Sequence, residues 1–371
     1  MSCSYAEGLS PYEHKGKLGL KEVFESDESL VDKVKQLSKW ITSSNHVVVH
    51  TGAGISTSAG IPDFRGPKGV WTLEEQGKKP EISISFNDAL PTKTHMILVK
   101  LVEAGYVKYI VSQNIDGLHL RSGLNREYLS ELHGNMFINQ CSSCKRQFVR
   151  KTATTSVGQK CLGLNCPGVK TNGRPCRGVL HDFILDWEHS LPEKDLDLAH
   201  YHSNLADLSI CLGTTLQIIP SGNLPLFTKK NQNGKLVICN LQPTKYDKRA
   251  DMLLNGYVDQ VMSLLLENLD LKIDDYNPEF DPVRKKGIHE WTIPDSKVSE
   301  MKKLYEIHLK QRKTSDEDQR KRKIDDKSEV IPLKKNDINK VEKLENDDTD
   351  EKTVDKSLDN ENNAKCEDGG T

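Results

Sequence analysis

The chain has 371 residues, 36% of them hydrophobic, with a mean hydropathy of -0.60 and a formal net charge of -2. No stretch approaches the roughly 20 apolar residues of a membrane span, the opening MSCSYAEGLSPYEHKGKLGL has no apolar signal core, and the overall charge makes no case for nucleic acid. A folded core with a polar tail in a reducing compartment is expected, where nine cysteines point to metal or thiol chemistry ahead of disulfides.

Residues 1–26 are polar and punctuated by Gly8, Pro11, Gly16 and Gly19, which predicts an irregular arm. Over residues 29–40, Leu30, Val31, Val34, Leu37 and Trp40 recur at helical spacing. Val47, Val48 and Val49 then read as a buried strand, because β-branched side chains pack well when extended. The strand breaks into Thr51-Gly52-Ala53-Gly54, and Ser56-Thr57-Ser58 are expected to cap a short helix. A strand, a glycine loop and a helix N-terminus make an anion site, although a glycine pair alone is equally a tight turn without a ligand. Pro62-Asp63-Phe64-Arg65-Gly66 adds an acid, an aromatic ring and a guanidinium that a plain turn does not need. The dinucleotide fingerprint is incomplete: the third glycine comes late, at Gly60, and no acid closes a second strand to hold a ribose. A nucleotide site of variant type is the reading.

Residues 67–91 are mixed, with Trp71 in a polar setting. A helix opens at Pro91-Thr92-Lys93-Thr94-His95, runs to Ala104, and is capped by Gly105. A second strand at 109–112 ends in Gln113-Asn114-Ile115-Asp116-Gly117-Leu118-His119; polar residues at the carboxyl ends of parallel strands are site candidates. His133, in ELHGN, lies between the sheet and a cysteine-rich insert, where a cleft would form, and can accept a proton near neutral pH. Strands at 208–212 and 236–239 run into Gly213-Thr214-Thr215 and Asn240-Leu241-Gln242, and residues 258–269 form a closing helix. Strands alternating with helices predict an α/β fold with a Rossmann-like parallel sheet.

The insert carries Cys141-x-x-Cys144, then Cys161, Cys166 and Cys176. Four thiolates close a tetrahedron around structural zinc and leave no position for a reactive water. The spacing alone leaves Cys161 competing for a place, and a redox CxxC is the other reading. Beyond residue 300 lysines and acids dominate and apolar residues are too sparse to offset ordering entropy, which predicts a disordered tail. Within it KQRK at 310–313 and RKRK at 320–323 have the form of a bipartite nuclear-import signal, or of a solvated charge run; the acidic stretch from Glu345 reads as solvating.

GAGIS followed by GIPDFRG, with QNIDGLH, LHGN, the cysteines, GTTLQIIPSGNLP and NLQPTKYD, resembles the sirtuin family of NAD-dependent protein deacylases over residues 5–270. SYAEGLSPYEHKGKLGL, GVWTLEE and LDWEHSLP resemble its sirtuin-6 branch. The departures are Thr215, where a serine is common, and an altered zinc loop. The resemblance implies an arm at 1–26, a catalytic domain at 27–272 (a lobe of 27–139 and 178–272 around a zinc module at 140–177), an extension at 273–299 and a tail at 300–371. It selects Cys141, Cys144, Cys166 and Cys176 for one structural zinc, with Cys161 spare.

For NAD, the resemblance implies that the acyl oxygen of an acyl-lysine attacks C1′ as nicotinamide leaves, its carboxamide near Asp116. His133 then serves as general base for the ribose hydroxyls, giving O-acyl-ADP-ribose, and Asn114 orders the ribose. Ala53, Thr57, Arg65, Thr214 and Thr215 hold phosphates and ribose; Asn240, Gln242 and Val258 hold the adenosine end; Phe64 shields C1′. Asp63, Trp71, Gln113 and Gly213 complete the cofactor set. The implied setting is the nucleus, with histones, chromatin and DNA as partners, no membrane, and roles in chromatin regulation and DNA repair. Mono-ADP-ribosyl transfer and removal of long acyl groups are implied as well. A non-catalytic chromatin scaffold is disfavoured by the intact His133, Asn114 and Asp116, and an NAD dehydrogenase by the missing ribose-holding acid.

Overall fold

The computed structural model describes residues 5–328 apart from 7, 13, 81–83 and 232, and for 315–328 the backbone alone. Helix α1 (Asp27–Ser43) starts where Ser26 accepts from Ser29 N, with Asp27 and Glu28 complementing the helix dipole; Leu30, Val34, Leu37 and Ile41 form its buried stripe. Strand β1 (Val47–Thr51) is buried on both faces, as a central parallel strand must be. The short helix expected next is instead two 3₁₀ turns, Ala53–Ile55 and Thr57–Ala59, and neither has a side-chain cap. Ser56 is spent elsewhere: its hydroxyl donates to Asp116 Oδ2 at 2.7 Å. Helix α2 (Val70–Glu75) buries Val70 and Trp71 in the stretch read as mixed.

Helix α3 (Lys93–Glu103) has a capping box between Thr92 and His95, and Gly105 follows it at φ +77°. After it come β2 (Val107–Ser112), α4 (Leu118–Arg121), β3 (Leu129–Glu131), β4 (Gly134–Cys141), β5 (Gln147–Val149), β6 (Cys161–Asn165) and β7 (Val179–Ile184). The chain then forms α5 (Glu193–Leu205), β8 (Leu208–Leu212), β9 (Lys235–Cys239), β10 (Met252–Leu254), α6 (Val258–Asn268) and α7 (Asp295–Ser328). The tail expected from residue 300 begins within α7, whose described backbone runs on through both basic clusters, and 329–371 lie outside the described residues.

Among the described residues the large sheet has the order β10-β9-β8-β1-β2-β3, all pairs parallel. One face packs on α1, α3 and α6; the other packs on α5 and the start of α7 through Leu198, Ala199 and Met301. The chain builds outward from β1 to β3, then returns beside β1 and builds the other way from β8 to β10. That reversal opens a crevice at the carboxyl ends of β1 and β8. A second, antiparallel sheet, β5-β4-β7-β6, spans residues 134–184 and so is wider than the 140–177 cysteine stretch. The segment after α6 lies along its edge, where Val149 N donates to His289 O at 2.8 Å.

Candidate active site

The crevice holds a cavity of about 520 Å³. The ends of five of the sheet's six strands contribute. Ala53 follows β1, Gln113 and Asn114 follow β2, and His133 follows β3. Gly213, Thr214 and Thr215 follow β8; Asn240 and Gln242 follow β9. Asp63, Phe64, Arg65 and Trp71 line it from the segment before and within α2. Gly52 and Gly54 are needed for close approach of two loops: a Cβ on Gly52 would lie 2.7 Å from Gly213 O, and one on Gly54 2.7 Å from Gly213 Cα. The close approach is therefore of backbone to backbone.

His133 is half-buried at the cavity wall, and its Nδ1 lies 2.9 Å from Gln113 O. A carbonyl only accepts, so Nδ1 carries the proton and Nε2 keeps its lone pair. Burial pulls the imidazole pKa down to about 4, against the Gln113 carbonyl, which favours the charged ring. Asn114 donates from Nδ2 to Gly52 O at 3.1 Å. Gln113 Nε2 donates to Thr214 Oγ1 at 3.2 Å. Gln242 Nε2 donates to Leu20 O at 2.6 Å and to Arg65 O at 3.0 Å, tying the arm to the site.

Arg65 donates from Nε to Lys15 O at 2.9 Å, and its guanidinium lies 4.6 Å over the Trp71 ring. Its Nη2 is buried without a hydrogen-bond partner, and burial lowers its pKa to about 10. A buried cationic donor left open at a nucleotide-sized cavity fits an anionic ligand such as a pyrophosphate. Asp63 accepts from Gly66 N at 3.0 Å, and burial raises its pKa.

Three expected residues do not line this cavity. Asp116 lines a smaller adjoining pocket shared with Asn114, Ile115 and Phe64. Burial raises its pKa against the bonds from Leu118 N and Ser56. Thr57 is exposed and donates to Gly54 O, and Val258 is packed in the core at the start of α6. His119 also lies off the cavity, buried and bonded to Thr51 Oγ1 at 3.0 Å. Residues that the sequence did not single out complete the wall. Tyr5 sits edge-on to Phe64, and Trp187 lies against Trp71. Ile218 and Ile219 come from the GTTLQIIPSGNLP run, so that motif was itself the signal for them.

Cys141, at the end of β4, and Cys144, Cys166 and Cys176, in the connections between the small sheet's strands, gather their sulfurs within 4.8 Å of one another. The Cys141–Cys176 and Cys144–Cys166 separations are both 3.7 Å. Four thiolates about 2.3 Å from a tetrahedral zinc stand roughly 3.8 Å apart, so the set fits zinc. Backbone N–H groups of Cys144, Gly168 and Gly178 point at Cys141, Cys166 and Cys176 sulfurs, which suits thiolates. Cys161 is outside the group, on β6.

A model of the Sir2 family matches residues 79–220. The NAD-dependent protein deacetylase Sirt6 of Drosophila melanogaster is 56% identical over 311 residues, covering 83% of this chain and 98% of the relative. The NAD-dependent protein deacetylase sir-2.4 of Caenorhabditis elegans is 36% identical over 278 residues, covering 74% and 94%. A solved Sir2 variant with deacetylated p53 peptide and 3′-O-acetyl-ADP-ribose aligns with a TM-score of 0.50 at 28% identity, covering 64% of this chain and 99% of that one. With a nucleotide-sized cavity at the sheet's reversal point and these relatives matched nearly end to end, the chain belongs to the Sir2 family, the sirtuins, and is an NAD-dependent protein deacetylase.

Proposed function

We propose that His133 is the general base of a protein-lysine deacylase. The observation that carries this is its Nδ1 bond to Gln113 O, which fixes the tautomer and leaves Nε2 as the basic nitrogen. Bound NAD would supply an electrophilic C1′ for the acyl oxygen, with nicotinamide as leaving group; with one water consumed, the products would be free lysine and O-acyl-ADP-ribose. His133 would take the ribose hydroxyl proton at Nε2. Asn114, held on Gly52 O, would orient the ribose, and Asp116 beside the small pocket would meet the nicotinamide carboxamide. Arg65 Nη2 would meet the pyrophosphate, with Thr214 and Thr215 beside it, and Asn240 and Gln242 would face the adenosine end. Phe64, backed by Trp71 and Tyr5, would keep water and departed nicotinamide from the reacting carbon. The four-cysteine site would be structural, since a closed tetrahedron activates no water.

The cavity wall formed by Leu185, Leu191, Leu196, Ile218 and Ile219 supports acceptance of long acyl chains as well as acetyl. KQRK at 310–313, largely exposed on α7, supports nuclear import, and a histone or other chromatin protein as substrate, with DNA as a further partner, follows from that location. Mass spectrometry of products from NAD with acetyl- and long-acyl-lysine peptides tests the chemistry. O-acyl-ADP-ribose from both is expected. ADP-ribose attached to protein would establish mono-ADP-ribosyl transfer, which would use the same NAD-facing residues. Deleting 310–323 should move the protein from nucleus to cytoplasm without changing peptide deacylation.

A further inference from the structure

The turn that presents His133 is closed behind it by a carboxylate with no part in the chemistry above. Glu131 ends β3, two residues before His133, and Asn135 stands two residues after it. Glu131 is 2% exposed, and Asn135 Nδ2 donates to its Oε1 at 2.6 Å. Asn135 Oδ1 accepts from Phe137 N at 2.8 Å, so the neck of the turn 131–135 is fixed with His133 at its tip. The second oxygen of Glu131 is taken from far along the chain: Trp291 Nε1 donates to Oε2 at 2.9 Å.

Trp291 is itself pinned. Its N donates to Gln147 O at 2.9 Å, and its carbonyl accepts from Arg126 Nε at 3.0 Å. Arg126 pairs with Asp195 at 2.8 Å, and Asp195 Oδ1 accepts from Glu131 N at 2.7 Å. A buried carboxylate that loses a donor bears the desolvation cost uncompensated. Burial already pushes the Glu131 pKa up to about 7, with Arg126 opposing. The charged and titratable groups around the turn are Arg126 and Asp195 beside Glu131, Tyr109 next to them, and Arg65 toward His133.

We propose that Trp291 is a positioning residue for His133, acting through Glu131 and Asn135, so that the segment after α6 is part of the catalytic unit. This rests on His133 being the base. Trp291→Phe keeps the ring and removes the N–H. A misplacement of about 1 Å can cost 10²-fold, so kcat is expected to fall about tenfold, with KM for NAD and for acyl-peptide within about twofold. The acid limb of kcat/KM should also rise from about 4 toward the ordinary histidine range as the loosened ring gains water. Glu131→Gln, which keeps the shape but cannot accept from both donors, should move kcat and the acid limb the same way, and serves if Trp291→Phe does not fold. A folded variant with wild-type kcat and pH profile overturns the proposal, even if it melts earlier. His133→Tyr run in parallel separates the two ideas: if it stays active the base assignment fails. If it is inactive while Trp291→Phe is normal, only the positioning role fails.

Discussion

In the parallel lobe, Val47, Val49, Ile110 and Ile210 are at most 2% exposed and belong to one continuous apolar core that runs from α1 to α6. At the cysteine end of the small sheet the separate cluster is Phe148 and Leu180 around the four cysteines, while Phe137, Ile138, Phe183 and Ile184 of the same sheet pack into the lobe's core. Two such side chains contribute about 1.5–3 kcal/mol each when buried. Each ordered residue costs about 1–2 kcal/mol of backbone entropy. The lobe, with the half of the small sheet that packs on it, can meet that cost by burial; the cysteine end has little apolar area of its own, and four thiolates closed on a metal would supply the rest. The same contrast separates their chemistry: the lobe's strand ends leave Arg65 Nη2 and the His133 lone pair open to a ligand, while the module's sulfurs face one another.

The strongest way to break the contrast is to remove one thiolate. Cys141→Ser should lose the zinc and unfold the module, because structural zinc sites contribute about 10–16 kcal/mol of apparent binding energy that is also folding energy. Metal content by mass and the thermal melt check it. Full zinc and an unchanged melt would mean that the module stands without the metal.

The next largest effect falls on the lobe's side alone. His133→Tyr should lower product formation by at least about 10²–10⁴-fold, the usual worth of a general base, while zinc content and melting stay as in the wild type. The wild-type pH profile sharpens this. The ring must be neutral to accept a proton, and its pKa lies near 4, so kcat/KM should hold level through the ordinary histidine range and fall only toward that value. The structure thereby moves the acid limb below the near-neutral titration expected of an unperturbed histidine. An acid limb in the ordinary range would show that the ring is more hydrated than its surroundings suggest.

A smaller loss is expected at Arg65. A hydrogen bond to a charged group contributes about 1.5–3 kcal/mol, so Arg65→Ala should raise the Kd for NAD about 10–100-fold and leave zinc untouched. Calorimetric titration with NAD reads it. An unchanged Kd would leave the orphaned Nη2 without a ligand to explain it.

The sequence was most legible where burial repeats locally. The β-branched runs at β1 and β2 and the stripe on α1 each declare themselves within a few residues. The strand-end positions of Asn114 and Gly213 follow from the runs at β2 and β8, because a parallel sheet aims its loops at one edge; β3, three residues long, leaves no such run, so the sequence places His133 only between the sheet and the cysteine insert. Contacts made across the chain left no such trace. Ser56 has the composition of a cap, but its partner Asp116 lies 60 positions on. Trp291 reaches Glu131 across 160 positions, and Tyr5 meets Phe64 only because the arm folds back, with Ser10 held on Asp186. α7 is polar nearly all round in sequence, so apolar periodicity does not announce it; among its residues with described side chains, Val298 and Met301 join the core.

The smallest expected effect is at Cys161, and it tests the module's side of the contrast by a null. From spacing alone this thiol competes with Cys166 and Cys176 for the metal, and in the structure it stands on β6, exposed, outside the four sulfurs that lie within 4.8 Å. β6 pairs with β7 through the backbone, with Cys161 opposite His181, and a serine keeps the same backbone groups. Cys161→Ser should therefore hold one zinc per chain and shift stability by no more than about 0.5 kcal/mol, the usual range for a surface substitution. The informative experiment sets it beside Cys166→Ser in the same metal assay. If Cys166→Ser loses zinc and Cys161→Ser does not, the module closes on the four sulfurs that the fold gathers. If Cys161→Ser loses zinc instead, β6 must be drawn inward when the metal binds, and the module would owe even its strand order to the ion.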